Sequence, residues 1–184
     1  MAVNKRIHGL LLAMMVCIIS AHTNAATLSE MRAINASQKL GMTVICHGTT
    51  VISLKGMTVP VIIDEMIKGY VVSNTGDKMV LNVIYEQRDD IHPAPFHTRT
   101  YRLTTTLEKV RQRLEIDPGT VKISVPKTRQ MEEILRKAIE AEPVSYSDYT
   151  TYRITEFPAY DILAGTDNPG AATLHCMPSR TSAL

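Results

Sequence analysis

The stretch Val51–Leu81, VISLKGMTVPVIIDEMIKGYVVSNTGDKMVL, decides how this chain is read. Its middle places Val59, Ile62, Ile63, Met66 and Ile67 at the spacing of one apolar helix face. Thr58 supplies a cap, Pro60 suits a first helical turn, and Gly69 follows the last periodic residue. The spacing therefore predicts a helix from Thr58 to Gly69. Beyond it, Tyr70–Ser73 and Lys78–Tyr85 read as a hairpin around Asn74-Thr75-Gly76-Asp77, residues that tolerate positive φ. Upstream, Leu28, Met31, Ile34 and Leu40 recur at near-helical spacing as far as Gly41, with Thr27 or Ser29 as cap. Met42–Cys46 and Thr49–Leu54 read as strands either side of His47-Gly48. These elements predict an αββαββ unit over residues 27–85.

Glu86–Thr98 breaks the pattern with mixed charges, Pro93, Pro95, His92 and His97, and reads as an interdomain linker. A second cycle follows: a strand Arg99–Leu103, then a helix Thr104–Leu114 with Leu107, Val110 and Leu114 on one face. After a Pro118-Gly119 turn come a strand Thr120–Val125 and a helix Thr128–Ala141. Met131, Ile134, Leu135, Ala138 and Ile139 make its buried stripe, and Tyr149–Thr155 returns as a strand. The expected fold class is α+β: two small subdomains, each with amphipathic helices packed on a short mixed sheet. They occupy residues 26–86 and 99–164, joined by the linker 87–98. A tail rich in Gly, Pro, Ser and Thr, residues 165–184, is expected to be flexible.

Residues 1–25 have the form of a secretory signal peptide: Lys5 and Arg6, an apolar run Ile7–Ser20, and small residues before a cut near Ala25. The run is shorter than the roughly 20 apolar residues a bilayer span needs. The expected location is periplasmic. Cys17 leaves open a lipid-anchored accessory protein, although Met15-Val16 lack the small residue that lipoprotein processing requires. Of 20 Lys and Arg, only Lys5 and Arg6 fall in this leader, so the remainder carries 18 basic against 18 acidic side chains. That balance argues against a nucleic-acid partner, which requires cationic excess. Cys46 and Cys176 remain after cleavage. In an oxidising compartment they suit a disulfide, with a buried Cys46 and a free Cys176 as the alternative.

Reactive signatures are missing. No nucleophile elbow, phosphate-binding glycine loop or cysteine-rich metal spacing occurs, so no catalytic residue, metal or cofactor is assigned. His92 and His97 fall short of the three or four ligands a zinc site needs, and the neighbours Asp64 and Glu65 on a helix would not face one another. The densest aromatic cluster is SYSDYTTYRITEFPAY, in which Tyr146, Tyr149, Tyr152 and Tyr160 are candidates for an interaction edge. An ordinary β-edge is the competing reading.

The order of elements in Val51–Leu81, a strand ending S-L-K-G-M, a helix opening T-V-P and closing I-K-G, then a hairpin at N-T-G-D, resembles the secretin and TonB short N-terminal domain. TYRLTTTLEKVRQRL and VKISVPKTRQMEEILRKAIE resemble the KH-like subdomain that follows it in secretins. The barrel that secretins continue into is not present in this sequence. The resemblance implies a periplasmic, non-enzymatic interaction module of a secretion, type IV pilus or conjugation apparatus. Its partners would be envelope proteins such as a secretin or an inner-membrane platform. Membrane contact would come only through those partners, and self-association is compatible. Edge strands at Tyr70–Ser73, Arg99–Leu103 and Tyr149–Thr155 would be the docking elements. An exported enzyme or small-ligand-binding protein with an unrecognised site is the alternative.

Overall fold

Along Lys78–Asp89 the buried residues are Met79, Leu81, Val83 and Tyr85, while Lys78, Asn82 and Arg88 face solvent. A two-residue period of this kind is a strand with one face against a core. In the computed structural model, which describes residues 25–52, 61–89, 94–125, 129–163 and 173–179, this strand lies inside a large antiparallel sheet. In chain order the elements are α1 (Leu28–Ser37), β1 (Thr43–Ile52), β2 (Val61–Asn74), β3 (Lys78–Asp89), β4 (His97–Leu107) and β5 (Arg111–Ser124). These are followed by α2 (Arg129–Ala141), β6 (Val144–Asp148), β7 (Tyr152–Ile154), β8 (Tyr160–Ile162) and β9 (Leu174–Ser179). The spatial order is β6-β5-β4-β3-β2-β1-β9-β8-β7.

The two outermost strands, β6 and β7, are consecutive in the chain and separated only by the 3₁₀ turn Tyr149–Thr151. Eight inter-strand steps of about 4.8 Å would put the edges of a flat sheet roughly 38 Å apart. Four Cα steps from Asp148 to Tyr152 span at most about 14 Å. The sheet must curl until its ends meet, and the result is a nearly closed nine-stranded barrel. Side chains hold the seam where the backbone ladder stops. The Tyr152 hydroxyl donates to Gln112 Oε1 at 2.8 Å, and the Tyr149 hydroxyl donates to the Glu108 carbonyl at 2.7 Å. Ser147 Oγ and Thr151 Oγ1 lie 3.0 Å apart.

Helix α1 closes one end. Thr27 and Glu30 form a capping box, and Met31 and Ile34 pack with Leu107, Tyr149 and Tyr152. Asn74 Nδ2 donates to the Asn35 and Gln38 carbonyls at 2.6 and 2.7 Å, and Asn35 Nδ2 donates to the Gly76 carbonyl at 3.0 Å. The helix is thereby bound to the β2–β3 turn, where Gly76 adopts φ +87°. Helix α2 joins β5 to β6 outside the barrel. Arg136 donates to the Val121 carbonyl and Glu132 accepts from the Val125 N–H.

The α+β expectation of two helix-on-sheet subdomains is overturned. About 60% of the described residues are in strands and 19% in helices, within one sheet. The expected helix Thr58–Gly69 is β2 from Val61 onward, and residues 53–60 lie outside the described residues. Its apolar stripe divides between two faces, with Ile63 and Ile67 inward and Ile62 and Met66 outward, and both its edges are paired. The expected helix Thr104–Leu114 is the end of β4, a turn and the start of β5. Thr104, Thr105 and Thr106 are β-branched and stiff at χ1, which favours a pleated strand. The expected linker is a β3–β4 connection: Gln87 pairs with His97, while residues 90–93 lie outside the described residues. Part of the expected tail is β9, wedged between β1 and β8, while residues 164–172 and 180–184 also lie outside. Arg99–Leu103 is paired on both sides, and Tyr70–Ser73 lies inside the sheet beside β3, with its β1 ladder ending at Tyr70 and Val71 bonded to Met42 and Gly41. Of the expected leader 1–25, residues 1–24, with Cys17, lie outside the described residues. Helices form at Leu28–Ser37 and Arg129–Ala141 and the chain turns at 74–77, but the first helix stops short of the exposed Leu40. Of the stripe expected to be buried on the second only Ile139 is, while Met131, Ile134 and Ala138 face solvent because α2 lies outside the barrel.

Cys46 and Cys176 are direct cross-strand partners on β1 and β9, and they are bonded with S–S 2.08 Å and Cα–Cα 4.0 Å. The bond closes a sequence separation of 130 residues, for which chain entropy allows about 5 kcal/mol of stabilisation. A double Cys46→Ala, Cys176→Ala variant should therefore lose about 2–5 kcal/mol, read as a lower urea midpoint. Dithiothreitol should lower the parent's midpoint to that of the variant and leave the variant unchanged.

Candidate ligand-binding cavity

Because side chains alternate along each strand, the curled sheet has one interior set of positions. On β3 these are the odd-numbered residues, and on β1 the even-numbered ones, Val44 and Cys46 among them. The interior is not filled. A cavity of about 320 Å³ lies between α1 and the strands, with walls that include Val44, Ile67, Leu81, Val83, Leu103 and Ile162. Two circumstances leave the space. A nine-stranded barrel is wider than the eight-stranded kind that side chains just fill. Small residues also stand at inward positions, namely Gly69, Thr105 and Ser145.

Among the described residues, every side chain lining this cavity is uncharged. A few are polar. Gln112 accepts the Tyr152 hydroxyl, and Asn35 is engaged with Gly76. Two others have no partner: Gln38 Oε1, on a residue 1% exposed, and Thr105 Oγ1, on a residue 3% exposed. Leaving a buried polar atom unpaired costs about 1–3 kcal/mol each, so such atoms mark a place where something else supplies the bond.

Away from α1 the interior turns polar. Gln87 Nε2 donates to Glu65 Oε1 at 3.1 Å, and His97 Nδ1 lies 3.0 Å from Gln87 Oε1. The Arg99 guanidinium sits 4.3 Å above the Tyr85 ring, which meets His97 edge-on at 5.9 Å. Burial pushes the Tyr85 hydroxyl up to about 12, with Glu65 adding to the shift. Burial, helped by the Arg99 charge, holds His97 below its ordinary value. This layer bounds the neutral cavity on the side opposite α1.

The outer face is different again. A row across β7, β8 and β9 joins Arg153 and His175 to the carboxylate of Asp161, with His175 Nδ1 at 2.8 Å. Burial opposes ionisation of Asp161, but the bonds from Arg153 and His175 outweigh it and keep the carboxyl below its usual range. A broad groove beside His47, Asp64, Glu86 and Arg88 is open to solvent, and its charges are already engaged, Arg88 with Glu86 at 3.0 Å and Asp64 with Thr49 at 3.1 Å. The outward rows of β2 to β5 carry Asp64, Lys68, Arg88, Arg102 and Arg113. That is the reverse of a membrane barrel, whose apolar band faces out.

The residues singled out in the sequence fall in several places. Cys46 and Cys176 are bonded and buried, and Cys46 lines the cavity. The four tyrosines do not share one exposed edge. Tyr149 and Tyr152 are buried and Tyr160 packs against them, because each occupies the seam or an inward position. Only Tyr146 is exposed, with the Arg111 guanidinium 3.9 Å above its ring. Asp64 and Glu65 lie on opposite faces of β2, and His97 is enclosed while His92 lies outside the described residues. Among the described residues no group of three or more His, Cys, Asp or Glu is placed to hold a metal ion, and no helix is long and apolar enough to cross a membrane. Gln38 and Thr105 were not anticipated. The signal was present, since Gln38 continues the Met31, Ile34, Asn35 face and Thr105 continues the alternation of Tyr101, Leu103 and Leu107. Compared with family models, curated proteins and solved structures, the chain matches none.

The depressed His97 value sets a direction for pH dependence. The unfolded chain takes up a proton near 6.5 and the folded chain only at lower pH. Stability from this residue is therefore complete above pH 6.5 and falls as the pH drops below it. Denaturant midpoints measured from pH 7.5 to 5 should decline, and the His97→Gln variant should flatten the decline.

Proposed function

We propose that the chain is an exported, non-enzymatic binding protein whose barrel holds a small, largely apolar molecule in its interior. The observation that carries this reading is the 320 Å³ cavity walled by neutral side chains from both sheet and helix. Its volume lies at the lower end of the roughly 300–1,000 Å³ range of small-molecule sites, and apolar walls with a few placed polar groups are their usual make-up. The disulfide suits an oxidising compartment outside the cytoplasm, in agreement with the form of residues 1–25. Among the described residues no nucleophile, base and oxyanion donor converge on the cavity, and its uncharged walls favour binding over chemistry.

A second reading keeps the chain as a docking component for envelope proteins of a secretion, pilus or conjugation machine. The solvent-facing Met131 and Ile134 of α2 favour it. The secretin-like arrangement lends it no further support, because its central helix is strand β2.

Filling the space discriminates between the two. Naphthalene, ten carbons and no polar group, should quench or enhance fluorescence on binding to the parent protein. The Leu103→Trp variant should fold, with a far-ultraviolet circular dichroism spectrum like the parent's, and lose naphthalene binding. Equal binding by both proteins, or none by the parent, would overturn the interior site. A Met131→Glu, Ile134→Glu variant should bind naphthalene as the parent does.

A further inference from the structure

We infer that the interior site is selective for a neutral ligand: an apolar body of about ten to fifteen non-hydrogen atoms bearing one hydroxyl or primary amide. The inference rests on the reading of the cavity as a binding site and adds the chemistry of its occupant. The size follows from the 320 Å³ volume, about ten times the share of one water molecule in the liquid.

The charge follows from the walls. Among the described residues, none that faces the cavity is Asp, Glu, Lys, Arg or His. A carboxylate, phosphate or ammonium taken into it would lose its hydration without gaining a counter-ion, a penalty that unpaired buried charges do not survive. Glu65 and Arg99, charged groups of the interior, belong to the polar layer and are engaged there with Gln87 and Tyr85.

The polar handle follows from the two unpaired atoms. Gln38 Oε1 is an acceptor only, so its partner must donate a proton. Thr105 Oγ1 both donates and accepts. A hydroxyl can donate to Gln38 Oε1 or accept from Thr105 Oγ1, and a primary amide offers an N–H to the one and a carbonyl to the other. A hydrocarbon leaves both atoms unpaired, and a carboxylate turns lone pairs toward Gln38. The helix bears Gln38 at its C-cap, where Asn74 binds its carbonyl, so the acceptor stands on a backbone already fixed to the β2–β3 turn.

Three probes of matched size test this: 2-naphthol, naphthalene and 2-naphthoate at pH 7, titrated against the parent protein, Thr105→Val and Gln38→Met. The parent should bind 2-naphthol about tenfold more tightly than naphthalene, the effect of one added buried hydrogen bond, and should bind 2-naphthoate most weakly. Both variants should lose the preference for 2-naphthol and keep or improve naphthalene binding, which also shows that they are folded. If naphthalene binds and 2-naphthol or 2-naphthoate gains no such difference, the selectivity is wrong while the interior site stands. If no probe binds the parent, the site itself and this inference fall together.

Discussion

Between Asp148 and Tyr152 the backbone has three residues in which to pass from one outer strand of a nine-stranded ladder to the other. That single length constraint bends the sheet on itself, and the rest of the architecture follows from the bend. A curled sheet has an inside, so the period-two alternation of each strand sorts its residues between core and solvent. The seam beside β6 and β7 lacks a backbone ladder and relies on bonds such as Tyr152 to Gln112. A bond of this kind contributes about 1 kcal/mol net. The circumference is thus unevenly tied, with the seam at the weak end of the local-opening scale.

The interior is divided by chemistry as well as shape. On the α1 side the walls are hydrocarbon with a few neutral polar atoms. On the other side Glu65, Gln87, His97, Tyr85 and Arg99 form a connected layer, in which His97 Nε2 and Arg99 Nε keep no hydrogen-bond partner. Keeping these ionisable groups together lets each compensate the desolvation of its neighbour, which a scattered arrangement would not. It also leaves the cavity free of net charge, and the unpaired Gln38 and Thr105 atoms are then its dominant polar features.

Elements whose local pattern agreed with their tertiary setting were legible in the sequence. The capped helix at Leu28, the 74–77 turn with its left-handed glycine, and the alternation within Lys78–Tyr85 are of this kind. Strand β2 was not, because outward Ile62 and Met66 join inward Ile63 and Ile67 in a spacing that imitates a helix face, while the inward Glu65 interrupts the alternation. Strand β9 was hidden by its composition: Pro178 and a Gly-rich approach read as a tail, yet the register with β1 holds it in the sheet. The tyrosines failed for a different reason, since aromatic density serves a core as well as an interface and only three-dimensional position separates the two. A cavity leaves no periodic trace at all. Its polar lining does, as polar residues at positions where a core pattern calls for apolar ones.

Strand β9 lies beside β1, the last described strand against the first. Until residue 174 arrives, the Thr43–His47 half of β1 lacks its partners on that side, and the cylinder has no means of shutting. A chain emerging N-terminus first therefore stays an open ribbon until the last of the described strands has been made. The same delay leaves a sticky margin on offer to other chains. Such sequence-distant pairing also makes for slow maturation, so the interval between emergence and closure is when this protein most needs a chaperone.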